Sequence, residues 1–418
     1  MIIININDLK NILKNATTLC EKKNIISVFD LIFIIKENQM IIITEGVNGT
    51  AANLINIENQ ENFFCIIKSG FNIVNKIIAN ITTDHLIFYP QEQGLLLIQS
   101  YNKEIDSKKK NINMNFSIYS HNIYFENDQY LNEENFNKYE IYWNFLMKNQ
   151  WEDHNDTIIE LEKTSDFIHF LKNISYAAST DNDRAFSNIF FQWEGNQLTA
   201  NSSNRIRIAV GKIYTTNSSS QLLKFSCDKK SIGSFIKSVQ NYVNEPLILR
   251  ISNNNRIYCM LGKNFILEMG YSLKRSINIG EFFNALENSQ AFLCNTQEVK
   301  QGIQCGKSFA TKFHYSILIE KTSNHQDNSN KIRFFFQEPN HGNIETYIDD
   351  YFNNENTFQA EVNVLYLWDA INVIDTKNCL IMINTTHNYL FLIPWKDTQD
   401  IKNIKNEYQY AHLIMCLR

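Results

Sequence analysis

The chain has 418 residues, a length sufficient for two to four domains. Apolar residues make up 44% of it, so a substantial core can be buried. A net charge of −5 excludes a protein that binds nucleic acid over its whole surface, so positive charge that meets a polyanion has to be segregated onto one face. Eight scattered cysteines without a Cys-x-x-Cys pair exclude the common zinc motifs and predict buried, reduced thiols.

Targeting signals are not evident. The first residues, MIIININDLK, lack the basic segment and long apolar core of a signal peptide. The longest apolar run, residues 24–35, is too short to span a membrane and contains Asp30. We therefore expect a soluble intracellular protein that is not associated with a membrane.

Six amphipathic helices are predicted in one register along the chain. Each has apolar residues spaced for a single face, followed by one marked outward position. In chain order the segments read LKNILKNA (9–16), FNIVNKII (71–78), FIHFLKNI (167–174), IGSFIKSV (232–239), VKQGIQCG (299–306) and LWDAINVI (367–374). The marked positions are Lys14, Lys76, Lys172, Lys237, Gln304 and Asn372, separated by 62, 96, 65, 67 and 68 residues. Four are lysines and none is acidic.

Each predicted helix follows a short apolar strand and precedes further strands joined by polar turns. The sequence therefore predicts six strand–helix–three-strand units of about 65 residues. The long separation between the second and third units is assigned to an insertion and linker within 102–156. Pairing the units gives an α+β fold of three similar domains, at 1–152 (with the insertion in about 102–152), 153–277 and 278–418.

The marked lysines have two interpretations. Lysine is a common exposed helix residue, so the marked lysine of any one helix is best explained as a side chain that contacts solvent. Six helices without an acid at the marked position, in an acidic chain, favour one positively charged surface that contacts phosphates without reading sequence. Lys230, on the same helix as Lys237, points in nearly the same direction.

Three stretches carry a resemblance to a known family. DRAFSNIFFQWEGNQLTANSSNRIRIAV (183–210) is similar to a segment whose family form runs Asp-x-Arg-x-x-Leu-Asn-Gly and then Thr-Asp-Gly-His-Arg-Leu-Ala. NVLYLWDAINVI (363–374) resembles Asn-Val-x-Tyr-Leu-x-Asp-x-Leu, and AHLIMCLR (411–418) resembles Val-Val-Met-Pro-Met-Arg-Leu. On these residues the chain resembles the bacterial sliding clamp, the beta subunit of DNA polymerase III, over nearly its whole length.

The resemblance implies a DNA clamp fold, with helices on the inner face of a homodimeric ring and sheets outside. It implies a non-catalytic protein that encircles double-stranded DNA without sequence preference and keeps a replicative polymerase processive. It also implies a cytoplasmic protein that is associated with the nucleoid. The expected DNA-binding residues are Lys14, Lys22, Lys23, Lys76, Lys172, Arg184, Lys230 and Lys237. Phe116 and Ile118 are expected at the ring-closing interface, with residues near Cys305 opposite.

The resemblance also implies a groove that takes short peptides from the polymerase, the clamp loader and repair proteins. Matched residue by residue, the groove comprises Ser187, Ser203, Asn204, Arg205, Ile206, Arg207, Ile208, Ile277, Phe282, His387, Leu413, Met415, Cys416, Leu417 and Arg418. Arg205 and Ile206 replace the family's usual Gly and His, Cys416 stands where Pro is common, and the terminal Leu is missing. A co-diverged peptide or a weakened groove both fit these changes.

Other motifs point to no active site, metal or cofactor. GIQCGKS (302–308) is one residue short of a P-loop, and its position in the fifth helix makes Gly302 and Gly306 close-packing residues. Asp349 and Asp350 are interpreted as a solvated pair. RIRIAV (205–210) reads as a strand with Arg outward and Ile inward. A scaffold with the clamp fold that no longer loads onto DNA remains the alternative function.

Overall fold

The computed structural model describes most of the chain. The described residues are 2–17, 19, 30–36, 38–46, 48–59, 65–91, 95–101, 115–119, 122–125, 133–148, 150, 156–179, 186–273, 280–311, 314–321, 331–339, 342–352, 356–397, 404 and 408–417. Contacts among residues divide the chain into two compact units, residues 1–165 with 230–271 (unit 1) and residues 166–229 with 272–418 (unit 2). The predicted three-domain boundaries stay a prediction.

Eight α-helices lie in the described residues. They are α1 (Ile6–Ala16), α2 (Phe71–Ala79), α3 (Glu133–Lys148), α4 (Thr164–Ser175), α5 (Lys229–Ser238), α6 (Gly280–Glu287), α7 (Thr296–Phe309) and α8 (Val364–Asn372). Six of them are the predicted helices, and the predicted apolar positions whose burial the structure describes are buried as expected. Helices α3 and α6 were not predicted.

The strands account for most of the remaining described residues. They are β1 (Ile2–Asn5), β2 (Asp30–Lys36), β3 (Gln39–Gly46), β4 (Gly49–Asn56), β5 (Glu58–Asn59), β6 (Cys65–Gly70), β7 (His85–Gln91), β8 (Leu95–Tyr101), β9 (Asn115–Tyr119), β10 (Asn122–Phe125), β11 (Thr157–Leu161), β12 (Asn188–Ser203), β13 (Arg207–Asp228), β14 (Leu247–Ser252), β15 (Arg256–Leu261), β16 (Phe265–Gly270), β17 (Gln290–Asn295), β18 (Ser316–Lys321), β19 (Lys331–Glu338), β20 (Gly342–Asp349), β21 (Phe358–Asn363), β22 (Asn378–Asn384), β23 (Tyr389–Trp395) and β24 (Tyr410–Met415).

Unit 1 contains two antiparallel sheets. One has the order β5-β1-β7-β8-β9, and the other has the order β10-β6-β2-β3-β4-β16-β15-β14-β11. Helices α1 and α2 pack into an apolar cluster shared by both sheets, in which Leu9 and Val74 meet Phe33 and Phe88. Since the helices bury one stripe each, their opposite faces are left outward.

Unit 2 repeats this plan. Its sheets have the orders β12-β13-β24-β23-β22-β17 and β20-β19-β18-β21, and α7 and α8 pack against both through Val299, Ile303, Leu367 and Ile371. Gly302 and Gly306 lie on the buried face of α7, as predicted. A Cβ at Gly302 would stand 2.9 Å from Thr346 Oγ1, so either the Thr346 side chain or α7 would have to shift to admit a larger residue.

The strand–helix–strand repeat is confirmed, with one difference after α4. The sequence predicts strands joined by polar turns after each helix, but β12 runs unbroken for 16 residues through Glu194, Gly195 and Asn196. Its partner β13 has 22 residues and leads into α5, with bulges near Gly195. Pairing with this longer strand on both sides of Gly195 favours a bulge over a turn.

The predicted solvated pair at 349–350 is wrong for Asp350. This carboxylate is buried, accepts a hydrogen bond from Lys321 Nζ at 2.7 Å, and accepts two more from the backbone amides of Leu293 and Phe352. A buried charge is tolerated when a counter-ion and hydrogen bonds compensate its lost hydration. Asp349 itself is exposed.

Candidate nucleic-acid interface and partner groove

The marked helix positions are all exposed. Lys14 and Lys76 lie in the last turns of α1 and α2, Lys172 in that of α4, and Lys237 in that of α5. Gln304 and Asn372 are exposed on α7 and α8, and Lys230 is exposed at the start of α5. The helices therefore present non-acidic side chains at the same outward position in both units.

The helices also share start signals that sequence inspection missed. Asn5, Asn295 and Asn363 cap α1, α7 and α8, each accepting a hydrogen bond from the amide two residues later. Each stands nine residues before its marked position. Asp8, Asp166 and Glu298 stand six residues before theirs, in the first turns. Acid at the start and lysine at the end both complement the helix dipole.

Two further lysines are held by backbone carbonyls. Lys10 on α1 donates to the carbonyl of Ile81, just after α2. Lys300 on α7 donates to the carbonyl of Ile374, just after α8, at 2.6 Å. Both stand four residues before a marked position. These side chains therefore join paired helices.

The candidate groove in unit 2 begins at the turn between β12 and β13. The Asn204 side chain accepts hydrogen bonds from the amides of Ile206 and Arg207, and Ser203 Oγ accepts one from the amide of Arg205. Arg205 has φ of +79°, a conformation that a non-glycine residue seldom adopts. Its guanidinium lies 4.7 Å from the ring centre of Phe186. The turn thus presents Arg205 and Ile206 at the surface.

The predicted alternation of RIRIAV is wrong, because β13 begins only at Arg207. Ile206 is 40% exposed in the turn, whereas Arg207 is 8% exposed. Arg207 Nη1 donates to Asp369 Oδ2 at 2.6 Å, and Nη2 donates to the carbonyl of Tyr176 at 3.0 Å. This charge-assisted pairing on α8 compensates the burial of the guanidinium.

Aromatic rings enclose the same guanidinium. Its carbon lies 5.2 Å from the ring centre of Tyr176 and 4.6 Å from that of Tyr366. Burial raises the pKa of Tyr176 well above its usual value, so its hydroxyl stays protonated. Lys229 Nζ also donates to the carbonyl of Ala178 at 2.6 Å, and burial together with nearby Arg207 lowers the pKa of that lysine. Sequence inspection missed Tyr176, Lys229, Tyr366 and Asp369.

The C-terminal tail lies beside this turn. Strand β24 pairs with β13 and β23, and the amide of Met415 donates to the carbonyl of Ile206 at 2.8 Å. Met415 is 40% exposed, and the tail continues with Cys416 donating to Asn388 and Leu417 donating to Glu361. The structure therefore brings Met415 beside the turn of Asn204, Arg205, Ile206 and Arg207, and Cys416 and Leu417 follow it with partners outside that turn.

Other predicted groove residues take different places. Ser203 is buried, Ile208 and Ser187 are half-buried, and His387 is exposed beside Tyr389. Phe282 on α6 and Leu413 belong to an apolar cluster, where Phe282 packs edge-on against Phe391 at 5.4 Å. Because both side chains are buried, Phe282 and Leu413 stabilise the sheet beneath the tail. Lys22, Lys23, Arg184, Ile277 and Arg418 lie outside the described residues.

The predicted interface residues lie on an edge strand in unit 1 and on a helix beside an edge strand in unit 2. Phe116 and Ile118 belong to β9, the last strand of the five-stranded sheet in unit 1. Cys305 is exposed on α7, which packs against β20, the first strand of the four-stranded sheet in unit 2. Edge strands carry backbone groups able to pair with another strand.

The described residues contain no group of three or more His, Cys, Asp or Glu side chains placed to hold a metal ion. Across the same part of the chain, every helix falls short of the length and apolar character needed to cross a membrane.

Comparison with solved structures identifies the class of fold. No protein-family model matches the chain, and no curated protein matches it by sequence. Many solved structures of bacterial DNA polymerase sliding clamps do match, and the chain has their fold.

Three of these structures show how far the likeness extends. The DNA polymerase III subunit beta from Pseudomonas aeruginosa has a TM-score of 0.77 at 11% identity, with 100% of both chains covered. A putative beta subunit from Eubacterium rectale has 0.76 at 14%, with 100% of this chain and 98% of that chain covered. The beta subunit from Thermotoga maritima has 0.74 at 13%, covering 100% and 99%. The predicted resemblance is thus confirmed at the level of the fold.

Proposed function

We propose that the protein is a DNA-encircling sliding clamp. The observation that carries the proposal is the common register of six helices whose outward position is exposed and non-acidic in both units. In a clamp-fold protein of net charge −5, lysine at four of the six outward positions and acid at none supports a positively charged surface along these helices. Lysines contact phosphates as flexible point charges, which suits a protein that slides.

Ring closure would come from two copies arranged head to tail. The β9 edge of one copy would meet the β20 edge and α7 of the other, and the same contact repeated twice closes the ring. The ring would hold a replicative polymerase to DNA topologically, without an active site of its own. Polymerase, clamp loader and repair proteins would dock at the candidate groove, where Met415 lies beside the turn that presents Arg205 and Ile206. They would bind there through short, mostly apolar peptides.

Native mass spectrometry of the full chain at micromolar concentration tests this assembly. A clamp gives the mass of two 49.0 kDa chains. A monomer at that concentration would reject the ring and favour a scaffold that kept the fold and lost DNA loading.

Peptide docking has a separate test. Removal of residues 414–418 takes away Met415 and the tail beside Ile206, so polymerase binding should be lost while the dimer remains. Unchanged affinity for the polymerase would show that partners dock elsewhere.

A further inference from the structure

The nine-stranded sheet of unit 1 consists of two halves that meet at one narrow seam, the pairing of β4 with β16. One half contains β10, β6, β2, β3 and β4, and the other contains β16, β15, β14 and β11. Four residue pairs form the seam, from Phe265↔Asn53 to Glu268↔Thr50, whereas β3 and β4 pair over eight. A junction this short between two larger sheets is where bending would concentrate.

Helix α3 lies across this seam. Its residues Tyr139, Tyr142, Trp143 and Leu146 are buried in a single apolar cluster. From the first half of the sheet the cluster takes Ile32, Ile34, Ile41, Ile43 and Ala52, and from the second it takes Tyr258, Met260 and Ile266. Since these residues belong to a different cluster from the one under α1 and α2, α3 covers the opposite face of the sheet.

Tyr142 joins both members of one cross-seam pair. Its hydroxyl donates to the buried carboxylate of Glu268 on β16 and is also hydrogen-bonded by the Thr50 side chain on β4. Arg256 on β15 pairs with the other carboxylate oxygen of Glu268. Burial and the Glu268 charge raise the pKa of Tyr142 well above its usual value, so the hydroxyl remains a donor.

A second tyrosine joins the other end of the seam from the opposite face. The ring of Tyr242 stacks on Phe265 with centroids 4.7 Å apart, and its hydroxyl donates to Asn53 Oδ1 at 3.3 Å. Phe265 and Asn53 are themselves a cross-seam pair. The first and last pairs of the seam are therefore each bridged by a tyrosine.

We infer that α3 is a brace that locks the β4–β16 seam, so that the nine-stranded sheet behaves as one rigid body. The insertion between the second and third repeat units then has a mechanical role. Packing across both halves resists bending, and Tyr142 fixes the register at Glu268 and Thr50. This inference stands on the seam alone and does not depend on the proposed function.

Hydrogen–deuterium exchange of the full chain, read by mass spectrometry, tests the brace. Tyr142→Phe removes one hydroxyl and keeps the ring, so the protein should stay folded while β4 and β16 amides exchange about tenfold faster. Amides of β2 and β7 should keep their wild-type rates. Gly49→Ala is the positive control, because a Cβ there would stand 2.4 Å from the carbonyl oxygen of Glu268 and force the seam apart.

A matched control separates bracing from general loss of stability. The control variant is Phe88→Leu. Phe88 belongs to the apolar cluster under α1 and α2, where its ring packs edge-on against Phe33 with centroids 5.5 Å apart. This variant should lower the melting temperature without selective exchange at the seam. Wild-type exchange at β4 and β16 in Tyr142→Phe, or faster exchange spread equally over all strands, would overturn the inference.

Discussion

Lys300 on α7 donates a hydrogen bond to the carbonyl oxygen of Ile374, 2.6 Å away, at the end of the adjacent helix α8. Lys10 makes the same contact with Ile81 in the other unit, 290 residues earlier in the chain. The lysines of these helices therefore divide into two kinds. Some hold helix pairs together, and those at the marked positions point outward.

Lys300→Met should lower the free energy of unfolding by about 1 kcal/mol, because the carbonyl of Ile374 loses a charged donor in a partly buried site. Urea denaturation measures the change. Lys172→Met is the control, since Lys172 is exposed in the last turn of its helix and its removal should cost a few tenths of a kcal/mol at most. Equal losses in the two variants would contradict the division into two kinds.

Changing Lys14, Lys76, Lys172 and Lys237 together to Glu should abolish loading onto primed DNA while leaving the fold intact. A small drop in melting temperature is expected, because an acid in the last turn opposes the helix dipole. Each change replaces a charge attracted to phosphate with one repelled by it. Loading of the variant at low salt, measured by gel filtration of the protein–DNA complex, checks the result.

The matched control changes Lys148, Lys224, Lys263 and Lys331 to Glu. These lysines are also exposed but lie outside the marked register, and both sets take the net charge from −5 to −13, four changes of −2 each. Loading should survive in the control. If both variants load equally well or fail equally, the marked faces do not contact DNA.

Asp369→Ala should destabilise unit 2 by about 1–2 kcal/mol, since it leaves Arg207 buried without its charged partner. The figure stays small because Asp369 is 45% exposed and water screens the pair. The double variant Arg207→Met with Asp369→Ala should recover part of this loss. Additive losses in denaturant unfolding would show that the pair is not coupled.

Acid should weaken the fold through His412. Burial lowers the pKa of this histidine from 6.5 to about 3, and its Nδ1 lies 3.0 Å from the hydroxyl of Tyr176. Because the unfolded chain binds the proton first, this group removes about 1.4 kcal/mol of stability per pH unit as the pH falls below 6.5 towards 3.

Unfolding midpoints at pH 7 and pH 5 measure that effect. His412→Gln keeps a polar group near Tyr176 but cannot titrate, so its stability should fall less between the two pH values than that of the wild type. Parallel losses in both proteins would assign the acid sensitivity to other groups.

The helices could be predicted from sequence because each carries its own periodicity. Leu9, Ile12 and Leu13 lie on one face at 3.6-residue spacing, and the same spacing recurs in five other segments. The asparagine caps and first-turn acids were available in the same register and would have fixed the helix starts.

The groove and the insertion were harder to predict because long-range contacts decide them. Arg207 is buried only because Asp369, 162 residues later, and Tyr176 supply partners. Nothing in the local pattern of RIRIAV indicates this, and local alternation predicted the opposite orientation. Helix α3 likewise depends on β4 and β16, which meet across more than 200 residues of sequence.

The central claim is that the protein encircles DNA, and topological retention tests it most directly. A clamp loader first loads the chain onto a nicked circular plasmid. The protein–plasmid complex is then passed through a sizing column in about 0.5 M salt, which screens phosphate contacts. Finally the plasmid is linearised and passed through the column again. A ring stays with the circle and leaves once the ends are open. Loss from the circle at that salt, or equal retention on circular and linear DNA, would contradict the account.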